Sequence, residues 1–183
     1  SERDIEWEKV DIFLGDERCV DPKSELSNSL MLKNSLLTKY GSKAFFYEIF
    51  SDKKVDDNIS KNLLISKLNE KCNGKPPSFD LTLLGLGDDG HTASLFPYQK
   101  DNNADDLVIF NEGKGLKRIS LTPKVLSASS NIIFLVSGAS KQLALQRLLD
   151  KDESQERTPS KLIKSSNQIS IFCDEESSKE LSI

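Results

Sequence analysis

An α/β fold is what this sequence predicts: a mostly parallel, open, Rossmann-like sheet with helices on both faces. Three observations predict it. Apolar runs of strand length recur at residues 10–14, 81–84 and 132–136. Between them lie longer stretches with helical apolar spacing and capping residues. A glycine loop, Gly85 to Gly90, follows the middle run at once, as at the carboxyl end of a strand in such a sheet, where ligands bind. Strands that alternate with helices bury their apolar faces most simply as a parallel sheet covered on both sides.

Each element has its own warrant. Residues 10–14 (VDIFL) read as the first strand, with Gly15-Asp16-Glu17-Arg18 at its end. Asp21-Pro22 and Ser24 mark a loop. Ser27 or Asn28 can cap a helix to about residue 37, with Leu32, Leu36 and Leu37 near helical spacing. The aromatic stretch 44–50 predicts a short edge strand. Asp56 or Asp57 caps a second helix to about residue 72, whose Ile59, Leu63, Leu64 and Leu68 form an amphipathic stripe. Asn73-Gly74-Lys75-Pro76-Pro77 breaks that helix and delivers the chain to the central strand. After the glycine loop, residues 92–95 can begin a helix that Pro97 cuts short.

Residues 98–106 read as a polar loop, 107–110 and 118–121 as short strands around a basic turn, and 123–129 as a helical turn. The run 132–136 is apolar and β-branched, as a strand buried on both faces requires. Ser140 can cap a helix over 141–149, with Leu145, Leu148 and Leu149 toward the core. Residues 151–159 are a charged loop, 169–172 the last strand, and Asp174 caps a short terminal helix. No internal repeat or linker divides the chain, so residues 1–183 read as one domain.

Composition narrows the function. Hydrophobic residues are 37% and charged residues 30%, which reads as soluble and globular rather than disordered. A net charge of −4 gives no broad basic face for nucleic acid, so cations for an anionic ligand must be local. No apolar run approaches the ~20 residues of a membrane span, and residues 1–9 do not resemble a signal peptide. Cys19, Cys72 and Cys173 are odd in number and lack metal spacing. They read as reduced thiols of a cytoplasmic protein.

The chemistry concentrates in the glycine loop. His91, the only histidine, stands at its exit, and histidine alone has an unperturbed pKa near neutrality. Gly85-Leu86-Gly87-Asp88-Asp89-Gly90 is formally G-x-G-x-x-G. A dinucleotide site, however, needs a helix opening on the loop, and two aspartates would stand where a pyrophosphate must approach.

The motifs then carry a resemblance. Residues 83–97 (LLGLGDDGHTASLFP) resemble the signature of the 6-phosphogluconolactonases. Residues 13–28 (FLGDERCVDPKSELSN) resemble a second family motif and residues 134–141 (FLVSGASK) a third, in the family's order. The resemblance implies hydrolysis of a phosphorylated sugar lactone to the open acid, with His91 as the base for an attacking water. Asp16 at a neighbouring strand end, or Asp89 locally, would orient the imidazole. Backbone amides around Gly87 and Gly90 would serve the oxyanion, and Glu17 would hold its loop rather than react. Arg18 and Lys141, three residues past Gly138, would bind the phosphate, with Arg118 a lesser cation candidate. No metal or cofactor is expected, because one histidine cannot build a usual zinc site.

Two alternatives remain at this point. The glucosamine-6-phosphate deaminases share the expected fold but follow their Gly-His with Ile-Ala-Phe-Asn-Glu-Pro, where this chain has Thr92-Ala-Ser-Leu-Phe-Pro97. A sugar-phosphate-binding module without turnover is the other. Leu14 and Asp88 depart from common family residues at positions away from the chemistry. The family also has a strand, a glycine-rich Ser/Thr loop and a helix ahead of the segment that starts here near Trp7. Residues 1–9 hold no such loop, so the domain is expected to be N-terminally incomplete. A phosphosugar lactone is the expected partner, with glucose-6-phosphate dehydrogenase as a fused or cooperating enzyme.

Overall fold

The structure is a computed structural model that describes residues 5–50, 56–103 and 105–181. Its strands are β1 (Asp11–Phe13), β2 (Asp16–Arg18), β3 (Phe45–Tyr47), β4 (Thr82–Gly85), β5 (Val108–Gly113), β6 (Leu116–Leu121), β7 (Ile132–Val136) and β8 (Ile169–Cys173). Its α-helices are α1 (Asn28–Leu32), α2 (Asp57–Lys71), α3 (Pro123–Ser127), α4 (Gln142–Leu149) and α5 (Glu175–Ser178). The strands form three sheets: parallel β4-β7-β8, parallel β1-β3, and antiparallel β2-β6-β5.

The central parallel sheet is where β-branched and aromatic side chains meet helices. Leu84, Ile132, Phe134 and Val136 are buried in one cluster with Leu64 and Leu68 of α2, Val125 and Leu126 of α3, and Ala144 and Leu145 of α4. Truncating a side chain as enclosed as Phe134, 1% exposed, costs about 3–5 kcal/mol. The α/β class with parallel sheets flanked by helices therefore stands. The alternate residues of the same strands point the other way. Leu83, Leu135 and Phe172 are more than half exposed, although Leu135 lies directly opposite Phe172. Among the described residues β4 pairs only with β7, and β1 only with β3.

The antiparallel sheet is the part that the sequence pattern did not foresee. The basic turn is a two-residue hairpin loop, Lys114-Gly115, because Gly113 pairs with Leu116. Both loop residues have positive φ, +53° and +74°, the twist that favours a two-residue hairpin. The triplet Asp16-Glu17-Arg18 is itself a strand, β2, and it pairs with β6 so that Glu17 faces Ile119 and Arg18 faces Arg118.

Local capping explains most helix starts. Ser27 Oγ accepts from Leu30 N at 3.2 Å, and α1 continues as a π-helix over Lys33–Leu37. Asp56 accepts from Asn58 N at 2.9 Å at the head of α2, and Asp174 from Ser177 N at 2.8 Å at the head of α5. Three expectations are corrected. Residues 92–95 form a turn closed by Leu95 N donating to Thr92 O rather than a helix. Ser140 does not cap α4; it lies inside a 3-10 turn, Ala139–Lys141, and Lys141 is the cap residue. Only Leu64 and Leu68 of the α2 stripe are buried, whereas Ile59 and Leu63 are exposed. No helix of the described residues is long and apolar enough to cross a membrane.

Candidate active site

The glycine loop closes on itself. Gly87 N donates to His91 O at 2.8 Å, and Gly90 N donates to Gly87 O at 3.0 Å. Thr92 Oγ1 donates to Gly85 O at 2.8 Å and ties the loop to the end of β4. Gly90 has φ +92°, and a Cβ there would meet Thr158 Cγ2 at 3.0 Å, so this position requires glycine. Ala93 and Tyr98 also have positive φ, +47° and +62°. Such strain in residues with a Cβ persists only where the surroundings enforce it, and it clusters at functional sites.

The His91 side chain is 18% exposed, and its Nδ1 lies 2.5 Å from Asp89 Oδ1. The same oxygen accepts from His91 N at 3.0 Å. Burial raises the Asp89 carboxyl, but the hydrogen bonds and charge of His91, with Lys114, outweigh it and hold the group below its ordinary range. An ionised Asp89 takes a proton on Nδ1, which leaves Nε2 with the lone pair a base needs. Asp89, not Asp16, is therefore the carboxylate on the imidazole.

Asp16 has a different set of neighbours. Ser94 Oγ donates to its Oδ2 at 2.5 Å, Asn28 Nδ2 donates to its carbonyl at 2.9 Å, and Arg118 Nη1 stands 3.7 Å from Oδ2. Burial raises its carboxyl above the ordinary range, against the Ser94 hydrogen bond and the charges of Arg118 and Arg18. Glu17 is 1% exposed and accepts from the backbone amides of Arg18, Asn28 and Ser29 at 2.7–2.8 Å. It holds the loop to the start of α1.

His91, Asp16, Asn28 and Arg118 line a cleft of about 380 Å³. Its wall includes His91, Asp16, Gly87 and four cations: Arg18, Lys114, Arg118 and Lys141. Arg18 and Arg118 are directly opposite across the β2–β6 pair. Like charges in that position are destabilising, and an anion between them would relieve the repulsion. Arg118 is 6% exposed, and burial and Arg18 pull its guanidinium down against Asp16 and Glu17. Arg18 Nη1 donates to Leu26 O at 2.8 Å, while its buried Nε has no partner. Among the described residues Lys141 Nζ has no hydrogen-bond or ion-pair partner, and it lines the cleft. A second cavity of about 410 Å³, lined by Phe134, Leu148, Lys161 and Ile171, contains none of the candidate site residues.

Three glycines of the motifs have structural partners of their own. The Gly87 and Gly90 amides are consumed inside the loop and are not free for an oxyanion. Gly87 is needed because the His91 ring lies against it: a Cβ there would collide with Nδ1 and Cε1. Gly138 is absent from the cleft wall; its amide donates to Asp174 Oδ2 at 2.9 Å, and its φ of +94° turns the chain toward Lys141. Asp88, Asp89 and His91 bring donor atoms within 4.8 Å of one another. Asp88 is paired with Lys114 at 3.3 Å and Asp89 with the imidazole, so both carboxylates already have partners.

The family described as glucosamine-6-phosphate isomerases/6-phosphogluconolactonase matches residues 1–171. The chain belongs to this family. It is 32% identical to the 6-phosphogluconolactonase of Nostoc sp. over 98% of its own length and 76% of that protein's. It is 31% identical to the Synechocystis sp. 6-phosphogluconolactonase, over 97% of its length and 75% of that protein's. It thus spans about three quarters of these curated relatives. Among solved structures, the devB protein superposes with a TM-score of 0.86 at 28% identity, covering 98% of this chain and 77% of that one. A monomeric glucosamine-6-phosphate deaminase, at 18% identity and a TM-score of 0.66 over 90% of this chain and 72% of that one, shares the fold. In this chain the 83–97 motif supplies the His91–Asp89 pair and the 13–28 motif the Arg18 side of the cleft. Arg118 and Lys114 carry little signal in the sequence, a basic turn beside a short strand, and only the hairpin register brings them to the cleft.

Proposed function

We propose that the chain hydrolyses 6-phospho-D-glucono-1,5-lactone to 6-phospho-D-gluconate. The observation that carries this reading is the Asp89–His91 pair, 2.5 Å apart, at a cleft walled by four cations. His91 Nε2 takes a proton as a water oxygen adds to the lactone carbonyl carbon. The tetrahedral intermediate then expels the ring oxygen, which leaves with a proton as the sugar hydroxyl. A lactone is an activated ester, so a positioned base and charge stabilisation suffice. The Gly87 and Gly90 amides are already bonded, and the cations of the cleft can meet the developing oxyanion. Arg18 and Lys141 bind the phosphate, and Arg118, opposite Arg18, joins them; a planar guanidinium suits phosphate geometry.

A deaminase-like reading is weaker, because the Asn-Glu pair expected after Gly-His is replaced by Leu95-Phe96 within Thr92-Ala-Ser-Leu-Phe-Pro97. The discriminating experiment offers freshly made 6-phosphogluconolactone and glucosamine 6-phosphate in parallel, following acid and ammonia release. Acid release alone supports the proposal; ammonia release alone overturns it. This reading also implies a cytoplasmic setting and, as partner, a glucose-6-phosphate dehydrogenase, fused or separate.

A further inference from the structure

We propose that Phe96 is a positioning residue for His91, and that Gly113 provides the space that lets it act. The proposal rests on the reading of His91 as the base. The two ring centroids lie 4.6 Å apart, with planes inclined at 37°. On another side of the imidazole, the Gly87 backbone lies so close that a Cβ would collide with it. Asp89 Oδ1 restrains the Nδ1 edge. His91 is therefore held by a backbone, an aromatic ring and a carboxylate, and among the described residues Nε2 has no hydrogen-bond partner.

Phe96 is itself fixed. It is 5% exposed, and its carbonyl accepts from Asn102 Nδ2 at 2.7 Å. Its ring sits over Gly113 at the end of β5, where a Cβ would collide with Cδ2, Cε2 and Cζ. Arg118 closes the stack: its guanidinium carbon is 5.3 Å from the Phe96 centroid, and its Nε donates to Gly113 O at 3.2 Å. The hairpin that carries the cations thus also sets the angle of the base. This matters because an imidazole has a broad χ2 well and two neutral tautomers. Removing the Phe96 ring frees the imidazole to rotate away from Asp89, and both the direction and the tautomer of Nε2 are lost. Misplacing a base by about 1 Å can cost roughly 10²-fold in rate.

The test uses the full chain and its single histidine, whose ring nitrogens are identifiable by NMR without assignment. Phe96→Leu is expected to lower kcat roughly 10–100-fold with KM little changed. The neutral imidazole should pass from one Nδ1–H tautomer to a mixture. Gly113→Ala, which touches no substrate, should do the same by displacing the ring. The double variant should be no worse than the poorer single one, because leucine leaves the space that the new methyl needs. Phe96→Met, closer in volume, takes the place of leucine if that variant does not fold. Wild-type kcat and a single tautomer in the Phe96 variant, or fully additive losses in the double variant, would overturn the proposal. Near-normal turnover in His91→Ala would instead defeat the underlying reading, while the tautomer measurement would still report on the clamp.

Discussion

Asp16 lines the cleft and Asp89 is bonded to His91, which lines it; the two carboxylates have opposite surroundings. Asp89 lies in the glycine loop, bonded to the one histidine, and its carboxyl is held below the ordinary range. Asp16 lies on β2 in the wall, bonded by Ser94 and flanked by Arg118, and its carboxyl is raised. The difference teaches how this fold divides its labour. On the proposed reading, the loop after β4, made of local contacts, would handle the proton, and the antiparallel sheet, made of distant contacts, brings together Arg18 and Arg118, which would hold the anion.

The sharpest way to break that division is to remove the base. His91→Ala is expected to lower kcat by roughly 10²–10⁴-fold, the usual worth of a general base, with the melting temperature kept. Steady-state kinetics on freshly made lactone checks it, and near-normal turnover would end the assignment. Next comes the carboxylate pair. Asp89→Asn should lower kcat by about 10²-fold or less, since it fixes a tautomer rather than reacting. Asp16→Asn should act mainly on KM. The reverse pattern would exchange their roles.

Smaller effects separate the cation wall from the loop. Arg18→Ala and Lys141→Ala should each weaken the phosphorylated lactone by roughly tenfold or somewhat more, as for a lost charged hydrogen bond. The unphosphorylated lactone should be little affected; equal losses on both would make these residues structural.

Much of this was legible in the sequence where contacts are local. Ser27, Asp56 and Asp174 announce their helices because a cap acts over three residues. The run 132–136 announces β7 because β-branched residues pack well on a pleated, buried surface. His91 and Asp89, two positions apart, could be paired by inspection. What sequence could not show depends on register between distant segments. Asp16-Glu17-Arg18 is too polar to look like a strand, and only its pairing with β6 sets Arg18 against Arg118. The loop glycines suggested free amides, whereas one accommodates an imidazole and the other a threonine.

The carboxylates also predict opposite pH slopes in stability. Asp16, with its folded pKa raised above 3.8, contributes stability below that unfolded value and loses it as pH rises through the folded one. Asp89, with its folded pKa lowered below 3.8, contributes stability above that value and loses it as pH falls through the folded one. Relative to wild type, Asp16→Asn should therefore gain in Tm from acid to neutral pH and Asp89→Asn should fall. Parallel slopes would show that the two environments do not differ as described. The smallest effect expected is that of EDTA: exhaustive treatment should leave turnover unchanged, and loss restored by a divalent ion would bring the Asp88, Asp89 and His91 cluster into play as ligands.

The central claim is tested most directly by the initial rate of acid release from freshly made 6-phosphogluconolactone by the unmodified chain, measured against the buffer rate. The account predicts a rate proportional to protein concentration and saturable in lactone. A rate equal to buffer alone, with the lactone nevertheless bound, would leave a sugar-phosphate-binding module and contradict it.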